Sequence, residues 1–274
     1  LVGNIINRTE NAMFFSKMHA CGNDYVYFSC PSATDEFLRS FAVFASDRRK
    51  GIGGDGIIIV EKSDDYSVSM RIFNSDGSEG LTCGNGMRCA ALYAKKYLGI
   101  SADEIVVKAK AGDYRVRLSF SEDKTFAEAD FPKPEEFLGR EKLRRLFHLN
   151  SEEIFAVNAG NEHLVIVNAG FPPDKYAAIS ENCGIFPCGI NVETVLPDEN
   201  GAKVRVYERG SGYTLACGSG AIASAYVLQK LSGKSDFAIN MPGGILSVSL
   251  RNDVATLKSE INEIYTGEIN YEVK

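Results

Sequence analysis

Two stretches of the chain are almost free of charge. Residues 218–229 contain no charged side chain, and in residues 84–94 the only one is Arg88. A helix that is apolar on every side has no face suited to water, so it belongs in the middle of a domain, wrapped by other elements. The pattern therefore predicts two central helices, one in each half of the chain.

The other elements follow from the spacing of apolar residues. Short or alternating apolar runs indicate strands, and a broad face with helical spacing indicates a helix. Because strands outnumber helices and come in hairpins, the sequence predicts an α+β fold with mostly antiparallel sheets. The predicted strands cover 14–28 (two strands around a turn at 21–24), 57–61, 66–74, 105–110, 114–120, 125–130, 154–157, 164–167 and 203–208, and the predicted helices cover 35–50, 84–98, 141–147, a segment after Pro173, and 218–231.

The stretch before each central helix is duplicated. Residues 71–86 read RIFNSDGSEGLTCGNG, and residues 205–220 read RVYERGSGYTLACGSG. In each copy a cysteine follows the opening arginine by twelve residues, and Gly-x-Gly follows the cysteine. The duplicated segment therefore carries a thiol at the same place, Cys83 or Cys217.

Two further segments repeat in the same order. CGNDYVYF, from residue 21, resembles AGNEHLVIV, from residue 159, and GIGGDGIIIV, from residue 51, aligns with GINVETVL, from residue 189. The second match pairs Asp55 with Glu193. Two copies indicate two similar lobes, since a solenoid needs at least three repeats. We expect an N-terminal lobe over 13–131 and a C-terminal lobe over 135–274, with Pro132 and Pro134 marking the linker.

Composition narrows the classes of function. The chain has 274 residues, 45% of them hydrophobic, and a net charge of -6, which gives no basic surface for nucleic acid. No apolar run is long enough to span a membrane. Seven cysteines, an odd number, favour a reducing cytoplasm over a disulfide framework. Residues 1–11 show no secretory signal, and Met13 is a plausible natural start. The expected partner is a small molecule, with a homodimer left open.

The cysteine turns suggest a chemistry. Unpaired N–H groups at a helix N-terminus lower the pKa of a thiol and bind anions such as a carboxylate. We expect the pseudo-symmetry to bring the two helix ends together, with a sulfur on either side of a substrate α-carbon. One thiolate then removes the α-proton while the other thiol protonates the opposite face. Such an inversion requires neither a cofactor nor a metal.

At these motifs the chain resembles a known family. The resembling stretches span residues 18–220 and read MHACGNDYV, DRRKGIGGDG, FNSDGSEGLTCGNGMRC, GNEH, NVET and YERGSGYTLACGSG. They are similar to those of the diaminopimelate epimerases, amino-acid epimerases that use no cofactor. The resemblance implies two pseudo-symmetric lobes, each a sheet around a central helix. It also implies interconversion of LL- and meso-diaminopimelate in lysine and cell-wall precursor synthesis.

The resemblance also implies a set of site residues. It makes Cys83 and Cys217 catalytic, and it places His163 near the amino group or beside the thiols. Polar side chains around them are expected to hold the carboxylate and the distal end of a diamino diacid. These expected substrate-binding residues are Asn23, Asn74, Gly84, Asn85, Asn161, Asn191, Glu208, Arg209, Gly218 and Ser219. The chain departs from the family pattern at Gly56, Glu162 and Ser219, where Gln, Pro and Thr respectively are familiar.

Simpler interpretations of the same residues remain open. Either thiol of the pair can be a small buried side chain, as is more common for a lone cysteine. A zinc site is poorly supported, because no C-x2-C pair exists. Residues 51–56 match G-x-G-x-x-G but lead into a strand, the reverse of a dinucleotide site. Structural roles are the default for Cys21, Cys30, Cys89, Cys183 and Cys188. For the repeated Arg71 and Arg205, a place at the lobe interface or on the surface is an equally good interpretation.

Other functions are weighed against the epimerase. A proline-racemase-like enzyme also uses two cysteines, whereas phenazine-biosynthesis isomerases use a carboxylate and lack the pair. A Cys–His163 hydrolase has no need of a second cysteine. A non-catalytic binding protein has no reason to hold an activated thiol, so thiol titration separates it from an enzyme.

Overall fold

The computed structural model describes residues 12–81, 83–148, 153–168, 173–182 and 184–271. Two compact units emerge from its internal contacts. Unit 1 contains the described residues of 1–19, 24–113 and 262–274, and unit 2 contains those of 20–23 and 114–261.

Unit 1 combines strands with two helices. Its elements are β1 (Ala12–Ala20), β2 (Asn23–Phe28), α1 (Asp35–Ser46), β3 (Gly56–Lys62), β4 (Ser67–Asn74), β5 (Glu79–Gly80), α2 (Gly84–Tyr97) and β6 (Glu104–Ala109).

The later elements lie mainly in unit 2. They are β7 (Gly112–Ser121), β8 (Lys124–Pro132), β9 (Glu135–Leu138), α3 (Arg140–Phe147), β10 (Glu153–Asn158), β11 (Glu162–Val167), α4 (Pro173–Asn182), β12 (Asn191–Pro197), β13 (Gly201–Glu208), β14 (Gly212–Thr214), α5 (Gly218–Ser232), β15 (Asp236–Met241), β16 (Gly244–Arg251) and β17 (Val254–Asn270).

The same chain path occurs in both units. In unit 1, β2 and β3 are parallel neighbours joined through α1, and β4 and β6 are parallel neighbours joined through α2. In unit 2, β11 and β12 are joined through α4, and β13 and β15 through α5. Parallel neighbours require such a crossover. Antiparallel pairing joins other neighbours, for example β3 with β4 and β12 with β13. The predicted α+β class with a duplicated plan is confirmed.

Side-chain alternation along the strands decides which residues face the central helix of unit 2. On β10 and β11, the side chains of Phe155 and Val165 join the core around α5, whereas those of Ile154 and Leu164 join a second core with α3 and α4. Successive side chains of a strand point to opposite faces. Because both faces are covered, these strands are apolar throughout. By the same alternation, odd-numbered positions on β11 and β12 face α5.

Unit 1 follows the same rule. Val26, Phe28, Ile57 and Ile59 pack in the core beneath α1. The alternate residues turn to the opposite face, where the Tyr27 hydroxyl donates to the Gly86 carbonyl of α2 at 3.3 Å. The central helix α2 is buried from its second residue through Ala94, as its sequence predicts.

Two predicted features differ from the structure, the end of the first helix and the linker. The first helix ends at Ser46 rather than at residue 50, because the Asp47 carboxylate accepts from the backbone N–H groups of Arg49 and Lys50 and starts a turn. The expected linker at Pro132–Pro134 is short: Pro132 closes β8, and β9 follows and pairs with β10.

The lobe boundaries also differ from the expected 13–131 and 135–274. Residues 114–131 group with unit 2, because β8 pairs with residues 254–261 of β17 and β7 pairs with β8. The end of the chain, from residue 262, groups with unit 1. Cys183 and residues 1–11 lie outside the described residues.

Candidate active site

Each central helix begins at a cysteine. Cys83 is the N-cap of α2, and its Sγ accepts a hydrogen bond from the Gly86 N–H at 3.2 Å. Cys217 is the N-cap of α5, and its Sγ accepts from the Gly220 N–H at 3.4 Å. An N-cap side chain normally carries an oxygen acceptor, such as that of Ser or Asp. The duplicated motif therefore puts a sulfur where the first free N–H groups of the helix point.

The Cys83 turn is backed by a cation. Arg88 is fully buried one turn into α2, and its Nη2 donates to Asn85 Oδ1 at 2.6 Å. Burial raises the pKa of the Cys83 thiol above its usual value. The Gly86 N–H, a hydrogen bond with Tyr25 and the charge of Arg88 oppose that rise, since each favours the thiolate.

The Cys217 turn is backed by carboxylates. Its thiol lies 3.4 Å from Ser219 Oγ and makes a hydrogen bond with Glu208. Its backbone N–H donates to Met241 Sδ at 3.4 Å. Burial, followed by the charges of Glu208 and Glu193, raises the pKa of Cys217 well above its usual value.

The sequence-based expectation of lowered thiol pKa values is therefore wrong for both cysteines. The helix N–H groups do act to lower the pKa of each thiol. Burial is the larger effect, because removing a thiolate from water costs more than one or two N–H groups return.

His163 lies between two oxygen atoms in the interior of unit 2. Its Nδ1 is 2.6 Å from Glu193 Oε1, and its Nε2 is 2.8 Å from Asn161 Oδ1. His163 and Glu193 are both fully buried. The two side chains occupy odd positions on the adjacent parallel strands β11 and β12, so the alternation of the sheet aims both at α5.

Arg209 is held by its own lobe. Its backbone N–H donates to Asn191 Oδ1 at 3.0 Å, and its Nη1 donates to the Cys188 carbonyl. The side chain runs over Gly189, where a Cβ would lie 2.6 Å from Arg209 Cδ. Gly189 also has a φ of 75°, so a larger residue is excluded twice over.

Glu208 is the acidic neighbour of Cys217. Thr214 Oγ1 donates to Glu208 Oε1, which fixes the carboxylate beside the thiol. Burial raises the pKa of Glu208, while the hydrogen bonds from Thr214 and Cys217 act in the opposite direction. A carboxyl group placed and tuned in this way is suited to exchange protons with a neighbouring thiol.

The structure brings together most of the expected residues within each unit. In unit 1, the cysteine turn at the start of α2 contains Cys83, Gly84 and Asn85. Asn74 is the last residue of β4, and its Nδ2 donates to Ser78 Oγ at 3.0 Å. Asn23 is the first residue of β2 and groups with unit 2. In unit 2 the clustered residues are Asn161, His163, Asn191, Glu208, Arg209, Cys217, Gly218 and Ser219.

Four residues that the sequence does not mark as functional also belong to these clusters. Arg88 contacts Asn85, Tyr25 contacts Cys83, and Thr214 contacts Glu208. The fourth is Glu193. The repeat offers a signal for two of the four, Tyr25 and Glu193. When the two copies of the repeat are aligned, Tyr25 matches His163 and Glu193 matches Asp55. Of the two repeated arginines, Arg205 is exposed and Arg71 pairs with Asp35 and Glu79.

Among the described residues, no group of three or more His, Cys, Asp or Glu side chains is arranged to hold a metal ion. The helices in that part of the chain are all too short or too polar to cross a membrane.

Comparison with known proteins decides the family. The diaminopimelate epimerase family model matches residues 15–129 and 155–271, one segment in each half of the duplication. The chain belongs to the diaminopimelate epimerase family. The diaminopimelate epimerase of Bacillus licheniformis is 35% identical over 266 residues, covering 89% of this chain and 93% of that protein. The one from Methanocella arvoryzae is 35% identical over 270 residues, covering 93% and 96%.

The fold has relatives beyond this family. A phenazine biosynthesis protein of the PhzF family from Bacillus anthracis superposes with a TM-score of 0.73 at 16% identity, covering 94% of this chain and 99% of that one. At that identity the likeness concerns the fold alone. Family membership makes the chain an isomerase that acts on a small molecule.

Replacing Arg209 with lysine should weaken substrate binding. Lysine keeps the charge but loses the planar pair of donors that grips a carboxylate, and it cannot also reach the Cys188 carbonyl. We expect KM to rise by about tenfold with little change in kcat, which corresponds to the loss of one charged hydrogen bond. Arg205→Lys is the matched control, because Arg205 lies on β13, the strand that ends just before Arg209, and is exposed. Steady-state kinetics with an unchanged KM in Arg209→Lys would remove Arg209 from the site.

Proposed function

We propose that this protein interconverts LL- and meso-diaminopimelate by a two-thiol reaction that uses no cofactor. The observation that carries the proposal is the duplicated cysteine N-cap: a thiol stands at the first N–H groups of a buried helix in both units. The 35% identity to named diaminopimelate epimerases over nearly the full chain supports the choice of substrate.

The proposed reaction begins with removal of the α-proton. One cysteine, as the thiolate, takes the proton, and the electron pair of the broken C–H bond moves into the substrate carboxylate. The N–H groups at the start of each central helix, at Gly84, Asn85, Gly218 and Ser219, are proposed to stabilise that added negative charge. The other cysteine then transfers its S–H proton to the opposite face of the carbon, which inverts it.

The distal end of the substrate carries an amino group and a second carboxylate. Arg209 is the cation proposed to pair with that carboxylate, and Asn191 fixes its backbone. Glu208 and the side-chain amides of Asn23, Asn74 and Asn161 are proposed to bind the amino groups and the carboxylate edges. His163 is proposed to act through Glu193 and Asn161, its two observed contacts.

The proposal extends to the protein's surroundings. Two catalytic thiols function only while reduced, so we propose a cytoplasmic location. A homodimer is proposed as the working assembly, to be checked by light scattering of the purified protein. We also propose two lobes, over residues 13–131 and 135–274, with one cysteine turn in each. The two compact units likewise contain one cysteine turn each.

An activity panel tests the proposed function. The purified protein is incubated, with no cofactor added, with LL- and meso-diaminopimelate, lysine, proline, hydroxyproline and glutamate, and the stereoisomers are separated by chiral chromatography. We expect conversion of both diaminopimelate isomers and none of the others. Turnover of proline or hydroxyproline would favour a proline-racemase-like enzyme. Binding of any of these without turnover would favour a non-catalytic binding protein.

A further inference from the structure

Glu193 occupies an unusual place for an acidic residue. It is the third residue of β12 and is fully buried. Its neighbours on that face belong to the core around α5, such as Val195. A carboxylate in such surroundings is costly unless it is well paired. Its Oε1 has His163 as a partner, whereas its Oε2 is buried with no hydrogen-bond partner among the described residues. Glu193 is therefore poorly explained by stability alone.

The Glu193 carboxylate lies in close contact with the Cys217 turn. A Cβ at Gly220 would lie 2.5 Å from Glu193 Oε1, closer than real Cβ atoms come to a neighbour. Gly220 is also the residue whose N–H donates to Cys217 Sγ. The glycine at this position of the turn is therefore the feature that admits the carboxylate, and Glu193 contacts the same backbone that holds the thiol.

The contacts of His163 fix the position of the Glu193–His163 pair. The His163 Nδ1 lies 2.6 Å from Glu193 Oε1 and its Nε2 lies 2.8 Å from Asn161 Oδ1, so both ring nitrogens have an oxygen partner.

The repeat gives unit 1 a different arrangement. Asp55 is the equivalent of Glu193 in the duplication, yet it pairs with Arg48 and keeps 40% of its side chain exposed. The charge behind the Cys83 turn is the guanidinium of Arg88. The two thiols therefore occupy equivalent backbone positions with charges of opposite sign behind them.

We propose that Glu193 is a positioning residue that keeps Cys217 as the protonated member of the cysteine pair in the resting enzyme. It acts by holding His163 in place and by keeping its carboxylate in contact with Gly220 in the Cys217 turn. Cys83, with Arg88 behind it, is then the thiol that ionises more readily and accepts the first proton. This inference rests on the proposed function, and it adds Glu193 to the residues that the reaction requires.

The groups that face Cys217 set the conditions for a test. They are Glu193 from β12, Glu208 from β13, Met241 from β15 and Ser219 from α5 itself, with His163 of β11 behind Glu193. Burial raises the pKa of Cys217 most and the carboxylates of Glu208 and Glu193 raise it further, whereas Ser219 and the Gly220 N–H lower it. Removing the carboxylate of Glu193 without changing its size should therefore lower the pKa of Cys217 and leave Cys83 unaffected.

The test measures both thiols in one sample. Protein is alkylated with iodoacetamide from pH 5 to 11, and peptide mass spectrometry gives separate rates for Cys83 and Cys217. The midpoint of each pH profile is compared rather than the rate, because accessibility scales the rate at every pH. In the wild-type protein we expect the Cys217 midpoint to lie above that of Cys83. In Glu193→Gln the Cys217 midpoint should fall by about one pH unit while that of Cys83 stays constant.

Activity supplies the second readout. Glu193→Gln should lower kcat by about 100-fold with KM nearly unchanged, because it disturbs Cys217, whose proton transfer contributes at least that much to the rate. Glu181→Gln is the matched control, since it makes the same change at an exposed position of α4 in the same unit. A rise in KM at constant kcat would instead make Glu193 part of substrate binding and overturn the proposal.

Two further outcomes would also overturn it. One is a Cys217 midpoint that does not move in Glu193→Gln, or a Cys83 midpoint that moves equally. The other needs no variant: a wild-type Cys217 midpoint at or below that of Cys83 contradicts the proposal even if Glu193→Gln does not fold. A wild-type protein inactive on diaminopimelate would sink the proposed function, while the alkylation profiles would still judge the role of Glu193.

Discussion

Replacing either Cys83 or Cys217 should stop epimerisation while leaving the fold in place. Each face of the α-carbon needs its own proton donor or acceptor, so one remaining thiol cannot complete an inversion. We expect kcat for epimerisation to fall by at least about 1,000-fold in Cys83→Ser and in Cys217→Ser, within the range that acid–base groups contribute. Chiral chromatography of the reaction mixture measures the loss.

Serine is the informative substitution at both positions. Each cysteine caps a helix by accepting from the N–H three residues later, and a serine oxygen keeps that acceptor. Its hydroxyl, however, is a far weaker acid than a thiol. Alanine removes the cap as well and should cost an additional ~1 kcal/mol of stability. Comparing the thermal unfolding of the two variants separates the cap from the chemistry.

Cys30→Ala is the matched control for these variants. Cys30 is a partly buried thiol of unit 1 that the proposed reaction does not use. It should retain full activity. Near-normal turnover by Cys83→Ser or Cys217→Ser would rule out the two-thiol reaction. A Cys-His hydrolase or a binding protein would then explain the other cysteine turn better.

Product formed in deuterated water should carry deuterium at the inverted carbon from the first turnover. The proton delivered to the product comes from a thiol that has exchanged with solvent, whereas the proton removed from the substrate stays on the opposite thiol. Substrate recovered early should therefore remain protiated. Proton NMR of the α-position during the first few per cent of conversion, begun from one pure stereoisomer, measures both quantities.

A single-base enzyme gives the opposite labelling. One group that visits both faces returns part of the original proton to the product. Substantial protium in early product would therefore contradict opposed roles for Cys83 and Cys217. Repeating the experiment with each Cys→Ser variant sharpens the result: a lone thiolate is expected to exchange the α-proton of one stereoisomer with solvent without inverting it.

The sequence by itself determined the duplication and the two thiols. The repeated turn fixes the spacing of arginine, cysteine and glycines, and the absence of charge in 218–229 requires a helix buried on all sides. Strand and helix positions followed from apolar spacing, because local periodicity reflects which faces are covered. The helix bounds failed where a side chain competed with the backbone, as Asp47 does at the end of α1.

Only the tertiary structure decided the electrostatics of the candidate site. The sequence suggested lowered pKa values for both thiols, since a helix N-terminus is a local feature, whereas burial depends on which strands cover the turn. The contact of Glu193 with Gly220 joins residues 27 positions apart, and it exists because parallel pairing of β11 with β12 aims Glu193 and His163 at α5. Equivalent positions of a duplicated sequence thus received different partners, Arg48 for Asp55 and His163 for Glu193, and only the folded chain distinguishes them.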